Sequence, residues 1–126
     1  MQDEPSAAEM LPAVARFLRD TVTTDHSAHT IFQARVAANA VDLAAREAQL
    51  TPRLNEEERV RLMKLLGHDG DLATQNRILA DKLLDGSLSL ATPGMKEHLW
   101  ATSMAKLAVD QPSYASYRRA LKRMQG

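Results

Sequence analysis

The stretch Ser27–Leu50, SAHTIFQARVAANAVDLAAREAQL, decides the fold. It is rich in alanine, the strongest helix former, and holds neither glycine nor proline. With Arg35 at zero on a wheel of about 100° per residue, Asn39, Asp42 and Arg46 all fall within about 40° of it and make one polar stripe. Phe32, Val36, Leu43 and Leu50 run along one side of that stripe. Ile31, Ala38 and Ala45 run along the other. The far face holds Gln33, Ala37, Ala40, Ala44 and Glu47. A simple amphipathic helix places its bulky residues opposite its charges; here the bulky residues flank them. Two arrangements fit. Either the stripe faces water, with Arg35–Asn39 and Asp42–Arg46 as ordinary pairs one turn apart, or it is buried and draws partners from another helix, because an unpaired buried charge is costly.

Working outward, five further segments have helical spacing. The first spans about Ser6 to Thr24. Ser6 and Glu9 stand at capping-box distance, and Met10, Leu11, Val14, Phe17, Leu18 and Val22 follow at helical intervals. Pro12 interrupts the pattern, which predicts either a kink or a main helix that starts near Pro12. Thr51-Pro52 ends the second segment. The third opens at Asn55 as cap, with Glu56, Glu57 and Glu58 at the positive end of the helix dipole, and stops at Gly67. The fourth runs from near Asp71 to near Gly86. Ser87–Leu90 alternates like a strand but is too short for a sheet. The fifth spans Pro93–Asp110, with Thr92 as cap and Pro93 in the first turn. The sixth starts at Ser113 and reaches Met124.

The fifth segment is apolar nearly all round: Leu99, Trp100, Met104, Leu107 and Val109. Such a helix belongs at the centre of a bundle. Its polar interruption is Ser103, Lys106 and Asp110. Two polar strips facing each other would bury Arg35 and Asn39, let Asp110 meet Arg35 or Arg46, and let Lys106 meet Asp42. The expected architecture is an all-α, compact bundle of five to six helices in a single domain, 1–126, with a central apolar helix near 93–110. Its expected core includes Phe17, Leu18, Phe32, Val36 and Leu43 in the first half. In the second half it includes Leu66, Leu79, Leu83, Leu99, Trp100, Leu107, Tyr117 and Leu121.

Composition bounds the function. The chain has 126 residues, 44% of them apolar and 25% charged, ordinary for a globular domain and large enough to bury a core without disulfides or metal. The absence of cysteine excludes thiolate nucleophiles and cysteine-ligated metals. Sixteen basic and sixteen acidic side chains cancel, so no overall attraction to nucleic acid or an acidic membrane is expected. Met1–Ser6 has no apolar signal core and no run approaches a membrane span, which predicts a cytoplasmic protein. Charge is uneven nonetheless. Residues 1–25 carry a net −3, whereas Arg118, Arg119, Lys122 and Arg123 give the last segment +4. Those four form either a solvated face that suits the negative end of their helix or a docking face for an acidic partner. His26 and His29, beside Asp25, lack the further ligands a metal site needs. Gly67–Asp71 lacks the spacing of a calcium loop. No phosphate-binding loop, dinucleotide fingerprint or nucleophile elbow is present. No cofactor and no metal is expected.

Three stretches together resemble a known family: Arg35–Ala40, RVAANA; Lys106–Arg119, KLAVDQPSYASYRR; and the opening Pro5–Glu9, PSAAE. They are similar to an uncharacterised bacterial all-helical domain family, and the likeness extends from about Pro5 to Arg119. Members of that family occur free-standing or attached to aminoglycoside-phosphotransferase-like kinases, and are encoded near such kinases and acyl-CoA dehydrogenases. The family has no assigned activity, so the resemblance supplies no catalytic residue. It implies a setting in small-molecule or acyl-CoA metabolism. Pro12 departs from the ordinary helical residue expected there. The leading expectation is a non-enzymatic accessory module for protein–protein interaction, its partner a kinase-like enzyme or a second copy in a homo-oligomer. The alternative is a small-molecule-binding protein or enzyme whose polar pocket is formed by helices 27–50 and 93–110, with Arg35, Asn39, Asp42, Arg46, Lys106 and Asp110 around it.

Overall fold

Helix signals in the sequence become five helices in the computed structural model, which describes residues 5–22, 24 and 26–126. They are α1 (Ala7–Asp20), α2 (Ala28–Leu66), α3 (Leu72–Leu84), α4 (Met95–Asp110) and α5 (Ala115–Gln125). No strand occurs among the described residues, so the chain is all-α. Asp25, the carboxylate beside His26, lies outside them. The chain divides into two compact units at Thr51/Pro52.

The second and third expected segments are one helix. α2 continues for 39 residues through Pro52 and Asn55. Proline removes one hydrogen bond, the one that would reach the Ala48 carbonyl, and crowds the preceding turn. A break would orphan up to four carbonyls and four N–H groups. The acidic residues expected to open a new helix instead pair along a continuous one. Arg53 Nη1 donates to Glu57 Oε1 at 2.8 Å, and the Arg59 guanidinium grips both oxygens of Glu56 at 2.9 and 2.7 Å.

In the unit up to Thr51, α1 lies antiparallel to the first part of α2: Ala8 meets Gln49, and Arg19 meets Asn39. Ser6 caps α1, its N–H donating to Glu9 Oε2 at 2.8 Å. α1 continues through Pro12 rather than starting there. The carbonyl of Ala8, which Pro12 has no N–H to satisfy, accepts instead from Gln49 Nε2 at 3.2 Å. The buried contact residues are small: Ala15 of α1 and Ala34, Ala38 and Ala45 of α2. Alanine faces let two helix backbones approach closely, and the bulky neighbours then point outward. The core expected here is overturned at four of its five positions, Leu18 alone being half-buried. Phe17 is 56% exposed and Phe32 65%, with Val36 and Leu43 also exposed.

The unit from Pro52 onward has a conventional aliphatic core. Leu62, Leu79 and Met95 are buried, and Leu66, Leu72 and Leu88 pack against them. Gly67, at φ 80°, stops α2 in the left-handed region that favours glycine. Asp71 then caps α3, accepting from the Thr74 N–H at 3.0 Å. Between the two, buried Gln75 reaches back to donate to the His68 carbonyl at 3.0 Å. α4 begins two residues later than the sequence suggests, because Gly94, at φ 84°, is its cap and Thr92 is spent on the turn before it. α5 likewise starts at Ala115, behind Tyr114. α4 is not buried all round. Only Met95 and His98 are fully covered, while Leu99 is exposed and Trp100 is 55% exposed; Leu83 of α3 is exposed too.

Candidate functional site

The polar stripe of α2 has a partner, but from α1. Arg19 Nη2 donates to Asn39 Oδ1 at 2.8 Å and pairs with Asp42 Oδ2 at 2.6 Å. Of the two expected arrangements, the buried one fails and the water-facing one fits in part. Arg35 and Asn39 are exposed, Asp42 and Arg46 half-buried, and the stripe sits at the seam between the alanine contact and the outward bulky side chains. The expectation that Arg35 and Asn39 are buried against the fifth segment is corrected: Lys106 and Asp110 are exposed as well. The reason is the alanine face, which takes the buried position and leaves the stripe at the edge. Asp110→Ala is therefore expected to cost only about 0–1 kcal/mol, as exposed charges do; a urea midpoint that barely moves checks this.

Arg118, Arg119, Lys122 and Arg123 lie exposed along α5. Arg119 Nη2 donates to Ser116 Oγ at 2.8 Å. Tyr117 on the opposite face is buried, as a core position requires. Near the α2–α3 connection, Arg59 bridges Glu56 and Asp69. The hydrogen bonds from Arg59 hold both carboxyls below their ordinary range, and the two carboxylates raise the guanidinium in turn. Asp69 also accepts from the Gly70 N–H at 2.8 Å. This network fixes the turn and is saturated. No group of three or more His, Asp or Glu residues is placed to hold a metal among the described residues, and no described helix is long and apolar enough to cross a membrane.

The sequence reading missed a cleft in the unit from Pro52 onward. Its volume is about 250 Å³, and α2, α4 and α5 wall it. Ala101, Met104, Ala105 and Ala108 form the α4 side, Tyr117, Leu121 and Met124 the α5 side, and Leu54 the α2 side. Three charged residues of α2 reach it: Arg53, Glu57 and Arg61. Arg53 and Glu57 neutralise each other at 2.8 Å. Arg61 has no salt bridge with any described residue, and its Nε is buried without a hydrogen-bond partner. A smaller hollow of about 170 Å³ shares Arg61 and adds Lys64, Gly94 and Glu97 at the start of α4. On α4, His98 is 2% exposed. Its Nδ1, and the Thr102 hydroxyl one turn later, are also buried and unpaired. Burial pushes the His98 imidazole below its ordinary pKa, the Arg61 charge adds to that, and Glu58 opposes it. A spacing signal existed: Met95, His98, Thr102 and Ala105 recur at helical intervals on one side of α4.

Comparison with known proteins adds a family and no function. No curated protein and no solved structure matches the chain. Residues 24–114 match a domain of unknown function, DUF6285, and the chain belongs to that family.

Proposed function

We propose that this chain is a non-enzymatic accessory module that docks onto a protein partner through the outward apolar side chains of its α1–α2 unit. One observation carries the reading. Met10, Val14 and Phe17 on α1, and Phe32, Val36 and Leu43 on α2, are all exposed, while alanines make the contact between the helices. Exposed apolar surface gathered on one small element marks interaction sites, and aromatic anchors dominate such interfaces. The basic face of α5 offers a second contact for an acidic partner. The resemblance noted above points to an aminoglycoside-phosphotransferase-like kinase as that partner.

The test is co-purification with an aminoglycoside-phosphotransferase-like kinase, followed by kinase assays with and without this chain. Phe32→Glu with Val36→Glu leaves the alanine contact intact and is expected to weaken the complex about thirtyfold or more, as loss of an interface anchor does, with the far-ultraviolet circular dichroism unchanged. Turnover of a metabolite by the purified chain alone, abolished by Lys106→Ala, would replace this reading with an enzymatic one.

A further inference from the structure

The α2–α4–α5 cleft pairs two features that a single ligand chemistry satisfies. Its uncharged walls are methionine, leucine and alanine side chains and Tyr117, and its charged residues reduce to one uncommitted cation once Arg53 and Glu57 neutralise each other. Guanidinium groups facing a cavity are normally matched by a carboxylate, because five donors in a fixed fork suit two carboxylate oxygens. Arg61 has no such match, and its Nε is shut off from water as well. Lys64, which lines the neighbouring hollow together with Arg61, adds positive charge there, against the single carboxylate of Glu97.

We propose that this cleft binds an amphipathic monocarboxylate, with an unbranched acyl chain along Ala101, Ala105, Leu121 and Met124 and its carboxylate on Arg61. The cleft volume of about 250 Å³ is that of a small-molecule site, and octanoate, which joins a short unbranched tail to one carboxylate, is the probe. Burial of the tail supplies the apolar contribution, and the Arg61 fork selects the charged head over an alcohol. This site lies wholly in the unit from Pro52 onward, so it stands or falls independently of docking by α1 and α2.

The experiment is titration of the full-length chain with sodium octanoate, 1-octanol and inorganic phosphate, read by calorimetry and by the methyl resonances of Met104 and Met124. Octanoate is expected to bind saturably, in the millimolar range or tighter for a ligand this small, and to shift both methyl signals. Arg61→Gln should weaken octanoate about tenfold or more, the worth of one charge-assisted hydrogen bond, while leaving octanol unchanged. Ala105→Leu fills the tail region without touching any charge and should abolish the methyl shifts. Circular dichroism and melting of each variant report whether it is folded. The proposal is overturned if octanol binds as tightly as octanoate, which would make the cleft a plain apolar groove. It is overturned equally if phosphate competes on equal terms, if Arg61→Gln binds octanoate like the parent chain, or if octanoate produces no saturable shift.

Discussion

Leu62→Ala is expected to remove about 3 kcal/mol or more of stability from the unit spanning Pro52 to Gly126. Leu62 is fully buried, and with Leu79 and Met95 it forms the centre of that unit's core. Truncation deletes the transfer free energy of the side chain and leaves a cavity that rigid neighbours cannot fill, which together cost about 2–5 kcal/mol for leucine. Leu66, Leu72 and Leu88 surround the core from α2, α3 and the loop after α3, so no single element can shift to close the space. Total stabilities of small domains are only about 5–15 kcal/mol, so the change is a large fraction of the whole. Leu84→Ala is the control. Leu84 is 87% exposed, and its loss should stay within about 0.5 kcal/mol. Urea denaturation followed by Trp100 fluorescence reports on the same unit. Equal midpoint shifts for the two variants would contradict the core described here.

What the sequence disclosed, and what it did not, follows the range of the forces involved. Local chemistry was legible. Ser6 with Glu9, Gly67 as a stop and Asp71 as a cap each act within one turn, so spacing alone locates them. Pro52 was misread because the local cost of a proline was weighed without the cost of ending and restarting a helix. Burial was the least legible property. Phe32 and Ala38 lie on different faces of α2, and residue size favours the phenylalanine as core. The structure buries the alanine and leaves the phenylalanine exposed, in a unit where α1 packs along this part of α2. The polar stripe was correctly recognised as one continuous feature, yet its partner was sought on the fifth segment, whereas Arg19 of α1 supplies it. Arg61 passed unnoticed because one arginine between Val60 and Leu62 reads as an ordinary solvated residue. Only the packing of α4 and α5 shows that the partner it lacks is missing beside a cleft.

His98 should make stability fall on mild acidification, in a window no surface carboxylate occupies. It is almost completely buried on α4, and its Nδ1 has no partner that would favour the imidazolium. Burial lowers its pKa below the ordinary histidine value of about 6.5, Arg61 lowers it further, and Glu58 only partly offsets them. The unfolded chain therefore binds a proton at His98 more readily than the folded chain does. Stability is fully present above about pH 6.5. It declines as the pH falls below that, with a limiting slope of about 1.4 kcal/mol per pH unit, and levels off once the folded-state pKa is passed. Carboxylates held low by their hydrogen bonds, such as Asp69, Asp71 and Asp85, behave differently. Their contributions are intact above the ordinary carboxylate range, about pH 4, and are lost only below it. The interval from about pH 6.5 down to about pH 5 thus isolates the histidine. Urea midpoints measured across it should fall for the parent chain and stay nearly level for His98→Gln, which keeps a polar side chain of similar reach but does not titrate. Because that variant also changes packing, its absolute stability is not the readout; the slope is. Parallel slopes for the two proteins would show that His98 is protonated as easily in the folded chain as in the unfolded one.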